Sequence, residues 1–150
     1  PPCSGYRIEP ALVDPLFSFA CERGLLVASH TVPVPGLSAI AFHPSLARFP
    51  ETKLVIYHGS THEESAYLAE RFRNVLVEPS WLGLFPHLFE LMRRLGGYGK
   101  LVAGTDGPGW FDGVADPYGD LLDRVGALAG EDHVEAICGG NARKALGIGG

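Results

Sequence analysis

Nowhere in these 150 residues does an apolar run reach the ~18 positions that suggest a membrane-spanning helix. No basic n-region followed by an apolar h-region opens the chain, so no secretory leader is expected and a cytoplasmic setting is. Cysteine is sparse. Cys3, Cys21 and Cys138 are odd in number and far apart, which excludes a disulfide framework and a CxxC metal knuckle. Excess positive charge is also lacking. The net charge of −5 and the scattered Lys and Arg leave no footprint for nucleic acid. Neither GxGxxG nor GxxxxGK[ST] occurs, so a nucleotide site on a small doubly wound domain ranks last.

What is present suits a globular domain. The hydrophobic fraction is 46%, enough for a real core and against disorder. The 20 glycines and 12 prolines punctuate short apolar runs, and no stretch reads as a domain linker. Residues 6–9 are a candidate strand end. Asp14-Pro15 reads as an N-cap with proline at the first helical position, for a helix ending at Gly24. Residues 25–28 form a strand ending at Ser29-His30, and residues 37–49 a helix interrupted at Pro44. Lys53–Tyr57 is the next strand, with Ser60 and Glu63 as a capping box after it. Strand 74–77, helix 84–95 and strand 101–103 follow. Asp116-Pro117 then repeats the cap-plus-proline pattern, Asp132 with Glu135 is a further capping box, and Asn141 caps a last short helix.

The strands are continuous apolar runs alternating with helices, the pattern of βαβ units in a parallel sheet buried on both faces. Four units are clear, with a possible fifth strand at the start. A complete (β/α)₈ barrel takes about 250 residues. The expected fold is therefore α/β: a partial TIM barrel, a half-barrel that pairs with another chain, or a small open sheet.

In such a sheet the C-terminal strand ends share one face, and that face carries the site. Three strands end in a potential metal ligand: His30, His58 and Asp106. Singly, each has a blander explanation, a hydrogen-bonded structural histidine or the turn chemistry of Gly-Thr-Asp-Gly-Pro. Together they suit Zn²⁺, Fe²⁺ or Mn²⁺.

Val27-Ala28-Ser29-His30-Thr31, the segment from Phe49 to Gly59, and the segment from Leu101 to Pro108 resemble strands 5, 6 and 8 of the amidohydrolase superfamily. The branch is the amidohydrolase-2 group of aminocarboxymuconate-semialdehyde-decarboxylase-like enzymes. Asn74 to Ser80 is similar to that group's strand 7, and Gly139-Gly140-Asn141-Ala142 with Ala145-Leu146-Gly147 to its C-terminal ending. The resemblance covers nearly the whole chain but only strands 4/5 to 8 of the barrel. It implies a divalent metal, Zn²⁺ first with Mn²⁺ or Fe²⁺ as alternatives. His30 becomes a metal ligand. Asp106 ligates or faces the metal and handles a proton. His58 is a second-metal ligand, or a general base or electrophile beside a single metal. The implied reaction is hydrolysis or non-oxidative decarboxylation of a small carboxylate-bearing substrate. The family's His-x-His pair on strand 1 is lacking here, so the ligand set is short and a missing N-terminal half, or a homo-oligomer, is an expected partner.

Other residues receive blander readings. Arg7 and Glu9 suit a surface salt bridge, and Trp81 and Trp110 suit pocket walls or packing. Phe85, Leu88, Leu91 and Met92 form a core stripe. Arg93-Arg94 complements a helix C-terminus. His43, His87 and His133 are structural or solvated. Two function classes stand at this level: a metal-dependent enzyme, and an inactive half-barrel serving as an assembly module with exposed apolar surface.

Overall fold

A computed structural model describes residues 7–59, 61–80, 86–106 and 115–148. Helix α1 (Pro10–Arg23) leads to strand β1 (Leu26–His30); a 3₁₀ turn (Ala39–Phe42) and α2 (His43–Arg48) lead to β2 (Lys53–Tyr57). Helix α3 (His62–Arg71), β3 (Val75–Glu78), α4 (Pro86–Arg94), α5 (Pro117–Ala129) and α6 (Asn141–Leu146) follow. The three strands form a parallel sheet in the order β1-β2-β3, and Leu101 adds a parallel bridge to Val77 where a fourth strand is expected. This is the α/β architecture of a partial barrel. No helix among the described residues is long and apolar enough to cross a membrane.

Alternation sorts the strand side chains between two faces. Leu54 and Ile56 of β2, Val75 and Val77 of β3, and Leu101 join one core with Phe17, Leu46, Leu68, Leu88 and Phe89 of the flanking helices. Val55, Leu76 and Val102 turn the other way and pack with Leu26 and with Ala142 and Ala145 of α6. Both faces are thus apolar at mid-strand, which explains the uninterrupted hydrophobic runs.

Several local expectations are corrected. Helix α1 begins at Pro10, with Pro15 inside it and no side-chain cap. The earlier start buries Val13 one turn before Phe17, and Asp14 ties α1 to α2 through Arg48 (2.7 Å). Residues 7–9 are not a strand. Ser60 and Phe85 lie outside the described residues; Thr61 precedes α3 without a cap bond, and Glu63 binds His87 instead (3.0 Å). Residues 101–103, the fourth strand of the expectation, join the sheet through the single bridge at Leu101 alone. The expected box at Asp132 and Glu135 is replaced by a 3₁₀ turn (Glu131–His133), and Glu135 faces Arg143 (3.7 Å). Asp116 does cap α5, accepting from the Gly119 N–H (2.9 Å).

Asn141 is helical rather than a cap. A π turn (Ala136–Gly140) runs straight into α6, and the Asn141 amide donates to the carbonyls of Tyr98 (2.9 Å) and Leu101 (2.7 Å). The C-terminal helix is thereby fastened to the start of the fourth strand.

Candidate active site

The parallel register places His30 opposite Tyr57, and Tyr57 opposite Glu78. His58, one residue beyond β2, therefore emerges at the level of the β1 and β3 ends. The His30 and His58 rings meet edge-on at 4.3 Å between centroids, with 76° between their planes. Two imidazoles from separate strands are thus brought together at the C-terminal mouth of the sheet. Thr31, fully buried, donates its hydroxyl to the Tyr57 carbonyl (3.2 Å) and ties the β1 exit to the β2 exit.

His58 has φ +70 and Asp106 φ +51, and they are the only non-glycine residues with positive φ among those described. That backbone region costs a side-chain-bearing residue ~1–2 kcal/mol, and such strain concentrates at functional sites. At His58 the distortion is sustained by its surroundings. The side chain is buried, and its Nδ1 makes a short hydrogen bond to the Ser80 carbonyl. A carbonyl only accepts, so Nδ1 carries a proton and donates it in this bond. Gly59 continues the turn at φ +50, where a Cβ would sit 2.8 Å from Leu88 Cδ2. No other residue fits there without displacing the core.

Asp106 is exposed and close enough to His30 for its charge to be felt. Burial and the neighbouring His58 hold the His30 imidazole below its ordinary value, and the Asp106 carboxylate offsets part of that. His30 thus favours its neutral, lone-pair-bearing form. The structure brings His30 and His58 into contact, with Asp106 near enough to act on His30 through its charge. Among the described residues, no three His, Cys, Asp or Glu groups converge closely enough to hold a metal ion.

Glu78 is the residue that the sequence reading passed over. It ends β3 on the mouth side with 6% exposure. Its Oε1 accepts from the N–H groups of Ser80 (2.9 Å) and Gly104 (3.1 Å), and its Oε2 from the Ser80 hydroxyl (2.6 Å). Burial pushes its carboxyl above the usual carboxylate range, against the hydrogen bonds of Ser80 and the charge and amide of His58. One side chain therefore joins the exits of β2, β3 and the fourth strand. The available signal was a charged residue closing an otherwise apolar strand, Val75-Leu76-Val77-Glu78.

The remaining candidates lie elsewhere. Arg7 and Glu9 form an exposed pair (3.5 Å). His43 stacks on Tyr67 and meets Phe72 edge-on, and His133 packs against Tyr98. His87 pairs with Glu63 beside His62. Leu88 and Met92 are core and Leu91 packs at its edge, as the helical spacing indicated. Trp81 and Trp110 fall outside the described residues.

The amidohydrolase family model matches residues 2–148 of this chain. Among solved structures, amidohydrolase 2 from Bifidobacterium longum subsp. infantis is similar in fold, with a TM-score of 0.69 at 19% identity. The match covers 89% of this chain and 54% of that one, so the chain spans about half the length of the relative. No curated protein matches the chain.

Proposed function

The chain belongs to the amidohydrolase family, and from that membership we propose that its strand ends form part of a metal-dependent site for hydrolysis or non-oxidative decarboxylation. The substrate class is a small carboxylate-bearing compound. The observation that carries this reading is the contact between His30 and His58 at the mouth of the sheet. Two imidazoles and a nearby carboxylate are the donor types a divalent ion takes. Zn²⁺ fits first, with Mn²⁺ or Fe²⁺ as alternatives, and the described ligand set is incomplete without further donors.

In this reading His30 and His58 would hold the ion, Asp106 would ligate or face it from the loop after Leu101, and the remaining donors would come from outside the described residues. A divalent ion in such a site makes water a competent nucleophile near neutral pH and stabilises developing negative charge. Ser80 fixes the orientation of His58 through the hydrogen bond from Nδ1 to its carbonyl. Asp106, exposed at the mouth, accepts and returns a proton. Glu78 positions: it ties together the loops that carry His58 and the fourth-strand exit.

Metal content per chain, measured by elemental analysis on the purified 150-residue protein, tests the assignment. Near-stoichiometric metal that falls sharply in His30→Ala supports the assignment and means that these residues build a usable site alone. A folded protein without metal means that donors beyond this chain are required and the isolated chain is inactive, and metal retained in His30→Ala sinks the ligand assignment. A second reading, an assembly module, is favoured by one feature: apolar side chains such as Leu12, Leu16 and Phe19 lie exposed along α1.

A further inference from the structure

The chain contains only three lysines, Lys53, Lys100 and Lys144, each more than forty positions from the next. In the fold all three line a single cavity of about 350 Å³, together with Arg73, Asn74 and Asn141. Lys53 opens β2, Lys100 immediately precedes the fourth strand's bridge, and Lys144 lies on α6. No acidic side chain is among the described residues that line this space. In a chain whose net charge is −5, a four-cation cavity without a lining carboxylate is a concentrated exception. Folding thus gathers four of the chain's 12 basic residues that lie far apart in the sequence.

The cavity is distinct from the candidate active site. Lys53 starts the strand that His58 follows, and five residues of extended chain put roughly 16 Å between them. This is the N-terminal end of the sheet, opposite the histidines.

We propose that the cavity lined by Lys53, Lys100, Lys144 and Arg73 is a binding site for a phosphate-type oxyanion. Its walls are held in place. The Lys100 ammonium donates to the carbonyls of Phe72 and Arg73, which fixes its direction. The Arg73 guanidinium is ion-paired with Glu51 at the outer rim, so Lys53, Lys100 and Lys144 supply the uncompensated charge. The Asn141 amide is anchored to the Tyr98 and Leu101 carbonyls, which sets α6, and with it Lys144, over the strand starts. Burial and the Lys144 charge press the Lys100 ammonium below its ordinary value, the condition an incoming anion relieves. Lys144 also complements the C-terminal dipole of α6, but Lys53 and Lys100 stand at no helix end, so the dipole does not account for their convergence. The cavity exceeds the volume of one phosphate, so it accommodates either the free ion or the phosphate group of a larger ester.

Thermal unfolding of the 150-residue chain in inorganic phosphate, against sodium chloride at equal ionic strength, is the test. Saturating phosphate is expected to raise Tm by about 2–4 °C above the chloride control. Lys53→Met and Lys144→Met, each folded by circular dichroism, are expected to lose that rise, and Lys144→Arg to keep it. Glycerol 3-phosphate in a parallel series separates the sources: a larger shift than phosphate at equal concentration assigns the site to an ester, an equal or smaller one to the free ion. No shift beyond chloride from either compound, or a shift undiminished in both methionine variants, overturns the proposal.

Discussion

At the scale of single residues the mouth of the sheet is organised around an acid placed where acids are costly. Glu78 accepts three hydrogen bonds, yet its burial outweighs them and favours the protonated carboxyl. The linkage follows from proton counts. Between the ordinary carboxylate value of 4.5 and the raised value in the fold, the native state holds a proton that the unfolded chain has released. Glu78 thus contributes a loss of stability as pH rises through that window, complete once pH exceeds the native-state value. Glu78→Gln carries no such proton. The Tm of the metal-free parent relative to Glu78→Gln is therefore expected to fall as pH rises from below 4.5 through the neutral range. A difference that stays flat or grows removes burial as the dominant influence on this carboxyl. His58 illustrates the opposite arrangement: its strained backbone is held by the bond from Nδ1 to Ser80 and by a glycine that alone fits the next position.

At the scale of elements, the sequence was most legible where one rule acted alone. Lys53–Tyr57 is a strand with the expected bounds because both its faces are apolar and a glycine follows two positions on. Asp116 caps α5 as its pattern implied, and Leu88 and Met92 fall in the core. Legibility failed where two signals competed. Pro10 and Pro15 both mark a helix start; burial of Val13 decides for Pro10, and Asp14 turns to Arg48. The metal-ligand candidates were visible as strand ends, since a parallel sheet sends those ends to one side. Glu78 was not, because its role comes from Ser80, Gly104 and His58, which meet it only in three dimensions. The lysine cavity was invisible for the same reason. Asn141 looked like a cap because its type favours one, whereas its amide reaches two carbonyls about forty positions earlier. That contact carries a prediction for the element. Asn141→Ala leaves two carbonyls without this donor and is expected to cost ~1–3 kcal/mol in denaturant unfolding. Hydrogen exchange should accelerate first along α6 and the π turn, while β2 stays protected. Uniform acceleration across the protein instead means that α6 unfolds only with the whole.

At the scale of the whole molecule, the sheet has one face covered by helices and another covered only in part. Val55, Leu76 and Val102 pack with α6, but Tyr57, further along the same face of β2, is 41% exposed, and Ala28 beside Val55 is exposed too. Among the described residues β1 pairs along one side only, through β2. Next to this edge, α1 displays Leu12, Leu16 and Phe19 at helical spacing on a stripe separate from its buried one. An unpaired strand edge beside exposed apolar side chains is a template for association. The chain covers 54% of a solved structure of similar fold. Two outcomes follow for the 150-residue protein. Light scattering is expected to give a mass above 16.0 kDa that rises with concentration, and hydrophobic-dye fluorescence to be strong. Leu16→Lys with Phe19→Lys should lower both if α1 is part of that surface, because a charge on each turn opposes burial without touching Val13 or Phe17. A monodisperse monomer that binds no dye removes the assembly reading and leaves the strand-end site to stand by its metal content alone.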